Sequence, residues 1–255
     1  MSGPDRILYQ FRISHYCEKT RWNLDAKRLP YRVENLVPGL HLFTTRRLGR
    51  VATVPVLLDG GAAVGDSTTI AAHLERAYPE RPLLPASEPL RARALELEAY
   101  FGKYAGRAVR QWMYCQIGQQ PGAMAALVTE GYSPAVRFAG KVAAPLLERA
   151  MRRQYRLNAE GSARSRATLG EVLDRLERET DGDPARYLVG DALSIADIAA
   201  ASLLGPLVAP PGSPWAATTS SERAQGPIDA LRAELGQRPA WAWVTARYAR
   251  DRHPS

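Results

Sequence analysis

The first clear rhythm in the chain is an apolar, β-branched and aromatic run, Ile7-Leu8-Tyr9-Gln10-Phe11-Arg12-Ile13, which predicts a buried strand. It gives way to Thr20, Leu24 and Ala26 spaced among Glu18, Lys19, Arg21 and Lys27, a helical period closed by Pro30. Residues 31–35 predict a second strand, so the chain opens as a β-α-β unit. Residues 53–58 predict a third, and Asp59-Gly60-Gly61 is a hairpin signal leading into a fourth at 62–64. Asp66-Ser67 then caps a helix that runs through Ile70, Leu74 and Tyr78 to Pro79.

Beyond this point the pattern is helical throughout. Pro79, Pro82, Pro85 and Pro89 punctuate a linker, and amphipathic segments follow at 90–116, 143–157 and 165–179. The segment 193–203 is apolar nearly all round and predicts a core helix. Its Ser194-x-x-Asp197 is a capping-box variant, which gives Asp197 the task of starting the helix rather than a chemical one. A loop rich in Pro, Gly, Ser and Thr is predicted over 206–227, followed by a last helix carrying Trp241, Trp243 and Tyr248. The organisation expected is an α/β domain over residues 1–80, a linker over 81–89 and an all-α domain over 90–255.

Composition narrows the function classes. The chain has 255 residues, 45% of them hydrophobic, ample for one large or two modest globular domains. No run of about 18 apolar residues predicts a membrane span. Residues 1–5 lead directly into the first strand, leaving no room for a signal peptide. With two cysteines, Cys17 and Cys115, the expected setting is a reducing cytoplasm. The formal charge is +8, from 34 basic residues of which four are lysines. These lie scattered among acidic residues, as over 171–179, so they read as solvated helix faces and not as a nucleic-acid surface. A basic mouth that attracts an anionic ligand is compatible with that spread. No metal-ligand spacing is present.

The chemistry concentrates at Ser14-His15-Tyr16-Cys17, where the first strand stops and a helix starts. A hydroxyl and a thiol three residues apart there face unpaired backbone N–H groups and a positive dipole end, a setting that favours a thiolate, the protein's own or a bound one.

Four motifs in one order resemble the cytosolic glutathione transferase family in its serine-type form. Ser14 to Arg21 is similar to a Ser-Pro-Phe-x-x-x-x-Arg segment, with His15 in place of the proline. Thr53-Val54-Pro55-Val56-Leu57 resembles the cis-proline segment of the thioredoxin fold, Asp66-Ser67-Thr68-Thr69-Ile70 the Glu-Ser-x-x-Ile signature, and Gly190 to Asp197 the C-terminal capping motif. The resemblance implies a thioredoxin-like α/β domain followed by an all-α domain, a glutathione co-substrate, a small apolar electrophile as second substrate, and a homodimer.

Glutathione would then exchange backbone hydrogen bonds with Val54 beside a cis Pro55, as in strand addition. Asp66 and Ser67 suit the ammonium and carboxylate of a γ-glutamyl group, and His41, with Arg46 or Arg50, the carboxylate at the other end. Thr53 stands where some relatives carry lysine. The Ser14 hydroxyl would hydrogen-bond the glutathione sulfur and stabilise its thiolate. Cys17 reads as a packing residue or as a redox thiol, and Cys115 as buried and inert. His15, read as a partly exposed loop residue, Tyr104 and Trp112 are candidates for the electrophile site. Three functions stay open at this point: thiol transfer to an electrophile, thiol–disulfide exchange through Cys17, and a non-catalytic binding or assembly module.

Overall fold

The computed structural model describes residues 6–49, 51–216 and 222–252. Its first layer is a four-stranded sheet of order β2-β1-β3-β4, built from β1 (Arg6–Gln10), β2 (Arg32–Asn35), β3 (Val56–Asp59) and β4 (Ala62–Gly65). The helix α1 (His15–Ala26) carries the chain from β1 to β2, which pair in parallel. β3 pairs antiparallel with both β1 and β4. α2 (His41–Gly49) precedes β3 and α3 (Ser67–Ala77) follows β4. Leu8, Leu24, Leu57, Ile70 and Leu74 are fully buried between sheet and helices, the apolar positions that set the strand and helix periods in the sequence.

The second layer is entirely helical among the described residues: α4 (Glu88–Lys103), α5 (Ala105–Ile117), α6 (Ala123–Thr129), α7 (Pro134–Tyr155), α8 (Ala159–Thr180), α9 (Ile195–Val208), α10 (Glu222–Leu235) and α11 (Pro239–Asp251). All fourteen residues of α9 are buried, as its all-round apolarity requires, and the helix packs against α1, α4, α5 and α11. No helix of the described residues is long and apolar enough to cross a membrane.

Several boundaries differ from the sequence expectation: β1 stops at Gln10 and not Ile13, β3 starts at Val56 and not 53, and α8 starts at Ala159 and not 165. The single segment at 90–116 is two helices that meet at Tyr104. α7 begins nine residues before the predicted 143, because Ser133 caps it and Pro134 sits at its first turn, where a missing N–H costs nothing. The predicted loop at 206–227 is shorter than that. α9 continues through Pro206 to Val208 and α10 starts at Glu222, with Pro227 inside it. Complete burial of α9 outweighs the bond that Pro206 removes.

The two layers are locked by polar as well as apolar contacts. Trp22 of α1 is fully buried in the helical core. Lys19 and Glu98 form a buried ion pair between α1 and α4, with the Thr68 hydroxyl bonded to both. Arg252, just past α11, donates to Glu18 at 2.8 Å and Asp25 at 2.6 Å on α1.

Candidate functional site

A cavity of about 580 Å³ opens where the N-terminus of α1 meets α5 and α7. Ser14 stands on its wall as the cap of α1, with extended backbone at φ −77° and ψ 123°. Its Oγ accepts from the Cys17 N–H at 3.4 Å, a long contact that leaves the O–H to donate elsewhere.

Thr53, Val54 and His41 share this wall, with Arg46 exposed beside them. The Val54-Pro55 bond is cis. Among the described residues no backbone hydrogen bond uses the Val54 N–H or carbonyl, so both are free for an extended ligand. Pro55 itself is buried beside the cavity and does not line it.

Asp66 and Ser67 also lie outside the lining. The β3–β4 ladder ends at Val56 and Gly65, so Val54-Pro55 and Asp66-Ser67 leave the same end of that antiparallel pair. Asp66 has φ +71°, a conformation rare outside glycine, and its Oδ1 accepts from the Thr68 and Thr69 N–H groups at 2.9 and 3.1 Å. Oδ2 has no protein partner among the described residues, nor does the Ser67 hydroxyl at the start of α3. An acceptor for an ammonium and a donor for a carboxylate therefore sit side by side.

His41 is less available than its position implies. Its Nδ1 accepts from the Gly39 N–H at 3.1 Å, its ring meets Phe11 edge-on at 4.9 Å, and burial lowers its pKa, keeping it neutral. Arg46, in contrast, is exposed on the cavity wall and has no ion pair among the described residues. Arg50 lies outside the described residues.

His15 is not a loop residue. It opens α1, is 6% exposed, and its Nε2–H donates to the Gly106 carbonyl at 2.9 Å. Burial, with the Arg110 charge adding to it, lowers its pKa to about 3, so the ring is neutral at physiological pH and this fixes the tautomer. The unfolded chain, in contrast, takes up a proton near pH 6.5. Stability from His15 is thus fully present above that pH and is lost as pH falls from 6.5 toward 3. The expected loss is about 2 kcal/mol at pH 5 relative to pH 8, at roughly 1.4 kcal/mol per pH unit. Urea midpoints at the two pH values should show it in the parent protein, and His15→Gln should remove that part of the slope.

Tyr16 crosses the seam between layers, its hydroxyl donating to the Gly102 carbonyl at 3.1 Å. A Cβ on Gly106 would stand 2.4 Å from the Tyr16 oxygen, which is why a glycine is needed there. Two segments of the helical layer close the cavity from above. Trp215 donates from Nε1 to the Ile13 carbonyl at 3.0 Å, its indole filling the space left by Gly205. Tyr132 donates to the Leu36 carbonyl at 2.6 Å, and Glu130 stands 3.7 Å from Arg12.

Cys17 is fully buried and burial raises its thiol pKa, outweighing the Ser14 hydroxyl and the Arg21 charge that favour the thiolate. It is not part of the cavity wall. Cys115 is half-buried on α5. Tyr104 and Trp112 do not line the cavity either. Tyr104 ends α4 at 40% exposure and stacks near Tyr100, while Trp112 is 6% exposed in the helical core. The α5 face that does look inward carries Val109, Arg110, Met113, Tyr114 and Ile117. Each residue turns a helix by about 100°, so Trp112 points away from the neighbours that flank it. Among the described residues no group of three His, Cys, Asp or Glu side chains could hold a metal ion.

The chain matches two family models, "Glutathione S-transferase, N-terminal domain" over residues 8–82 and "Glutathione S-transferase, C-terminal domain" over 159–246. It is 37% identical over 95 residues to Glutathione S-transferase 1 of Dianthus caryophyllus, covering 36% of this chain and 42% of that protein. It is 33% identical over 102 residues to Glutathione S-transferase Z1 of Arabidopsis thaliana, covering 38% and 45%. The matched regions thus span less than half the length of these relatives.

Among solved structures, the beta-etherase LigF from Sphingobium sp. strain SYK-6 superposes with a TM-score of 0.62 at 23% identity, over 94% of this chain and 98% of that one. Glutathione transferase GSTFuA3 from Phanerochaete chrysosporium gives 0.62 at 19% identity over 97% of each chain. At such identities the likeness speaks for the fold. The family models, in order and one on each layer, together match more than half of the chain, which therefore belongs to the glutathione S-transferase superfamily.

Proposed function

We propose that this chain binds glutathione along Val54 and Asp66-Ser67 and presents its thiolate, held by the Ser14 hydroxyl, to an apolar electrophile in the cavity under α5 and α7. The observation that carries this reading is a helix-capping hydroxyl at Ser14 and an unpaired backbone pair at Val54 on one cavity wall. Outside that lining, an acid–hydroxyl pair at Asp66-Ser67 follows directly on β4, the strand paired with β3.

The chemistry follows from the parts. Backbone exchange at Val54 fixes the peptide in an extended form. The Asp66 carboxylate takes the γ-glutamyl ammonium and Ser67 its carboxylate, with Arg46 at the far end. The sulfur then falls at the N-terminal end of α1, where the dipole and the Ser14 O–H both favour the anion. The sulfur lone pair forms the carbon–sulfur bond. In substitution the bond to the leaving group breaks and its electron pair departs with that group; in conjugate addition the acceptor's π pair shifts away and later takes up a proton.

Thiol–disulfide exchange through Cys17 is the weaker reading, since the thiol is fully buried away from any disulfide and burial raises its pKa, disfavouring the thiolate. A non-catalytic module is weaker too. Residues of α6 and α7 form the walls of the cavity and leave its interior open.

Calorimetric titration with glutathione, followed by turnover of a panel of model electrophiles, tests the proposal. Saturable binding and glutathione-dependent consumption of at least one electrophile are expected. Absence of both would overturn it.

A further inference from the structure

Arg110 stands out among the arginines. Several partly buried arginines have carboxylate partners, as with Arg6 to Asp59, Arg238 to Glu177 and Arg252 to Glu18. Arg110, on the inward face of α5, has neither a hydrogen bond nor an ion pair among the described residues. Two aromatic rings hold it instead, with its Cζ 4.8 Å from the Tyr155 ring centre and 5.6 Å from that of Tyr16. Rings stacked on a guanidinium cover its faces and leave the in-plane N–H edge to donate.

The surroundings specify what that edge would meet. Among the described residues Arg12, Arg46, Arg110 and Arg232 line the cavity against one carboxylate, Glu130, which already faces Arg12. Arg232 donates to the carbonyls of Leu207 and Pro206 and lies 3.5 Å from Asp229. Arg46 belongs to α2, in the sheet layer. On the helical side the unpaired charge is therefore Arg110, set among Met113, Tyr114, Ile117, Leu147 and Met151. Burial lifts the Tyr114 hydroxyl to about 12, so this wall stays neutral and adds no counter-charge.

We infer that the second substrate is an aromatic acid: a flat apolar body that fills the α5–α7 wall and carries one carboxylate, received by the edge of Arg110. An anion on an apolar ring is the group that satisfies both halves of the site. The planar, bidentate match between carboxylate and guanidinium supplies the specificity. This inference deepens the transferase reading but needs no bound glutathione.

The test is therefore run without glutathione, by calorimetric titration with 2-naphthoate and with 2-naphthamide, a neutral analogue of nearly the same shape. The parent protein is expected to bind the acid at least tenfold more tightly than the amide, the range for a hydrogen bond to a charged group. Arg110→Met should erase that preference while leaving affinity for the amide and for glutathione unchanged. Arg110→Lys, which keeps the charge but loses the planar fork, should retain part of it.

Equal binding of acid and amide by the parent protein would overturn the proposal with no variant required. So would a preference that survives in Arg110→Met, or a loss of glutathione affinity in that variant with the preference intact, which would assign Arg110 to glutathione. Failure of glutathione to bind at all would count against the transferase reading and leave the acid–amide comparison standing.

Discussion

Asp197→Ala should lower folding stability by about 3–5 kcal/mol and sharply reduce the yield of folded protein. The carboxylate is fully buried and accepts three hydrogen bonds, from the Leu188 N–H at 2.8 Å, the Ser194 N–H at 2.9 Å and the Ser194 hydroxyl at 2.6 Å. It closes the capping box of α9, and it ties the turn at Leu188 to the start of that helix. Burial lifts its pKa to about 6, so it is still ionised at pH 7 and can accept all three.

Truncation leaves two backbone donors and a hydroxyl buried without partners, at roughly 1–3 kcal/mol each before relaxation. Against a whole-domain stability of about 5–15 kcal/mol that is a large fraction. Since α9 packs on α1 as well as on α4, the loss should be felt in both layers. Asp197→Asn, which keeps one acceptor oxygen, should recover part of it. Urea denaturation followed by circular dichroism measures both variants, and a change below 1 kcal/mol for the alanine would contradict the role given to this residue.

Ser14→Ala should cut kcat for glutathione transfer by roughly 10²–10³, the usual effect of removing one donor aimed at a developing or bound oxyanion, applied here to a thiolate. Glutathione affinity should change little, because the peptide contacts assigned to Val54, Asp66, Ser67 and Arg46 remain. The separation of kcat from binding is the diagnostic part. A plain helix cap would lose stability without that split. The cap contribution itself should be small, at the low end of about 0.5–2 kcal/mol, given the 3.4 Å contact to Cys17. Ser14→Thr, which restores a hydroxyl, should return most of the activity.

Much of the sheet layer was legible in the sequence because its signals are local. The apolar run after Arg6, the cap at Ser14, the turn at Gly60-Gly61 and the cap at Asp66 each specify their element from adjacent residues, and the structure places them within a few positions. The all-apolar α9 was legible for the same reason. The cavity wall was not. Whether Trp112 or Tyr114 looks inward depends on how α5 is rotated against α7 and α8, contacts made by residues about 40 or more positions away.

Likewise, nothing near Trp215 or Tyr132 announces that they bond to carbonyls of Ile13 and Leu36. Arg110 was hidden by composition, being one arginine in a chain full of them. A signal was present nonetheless. Gly106, Arg110 and Tyr114 recur at helical spacing beside Met113 and Ile117, giving a face with one charge in an otherwise apolar stripe.

Ser14 as the holder of a borrowed thiolate is tested by the pH titration of the thiolate ultraviolet absorbance of bound glutathione, in the parent protein and in Ser14→Ala. The parent should ionise the bound thiol well below the pKa of about 8.5 typical of a free thiol, and the variant should return it toward that value with glutathione still bound. Identical titrations in the two proteins, with glutathione bound to both, would contradict the account.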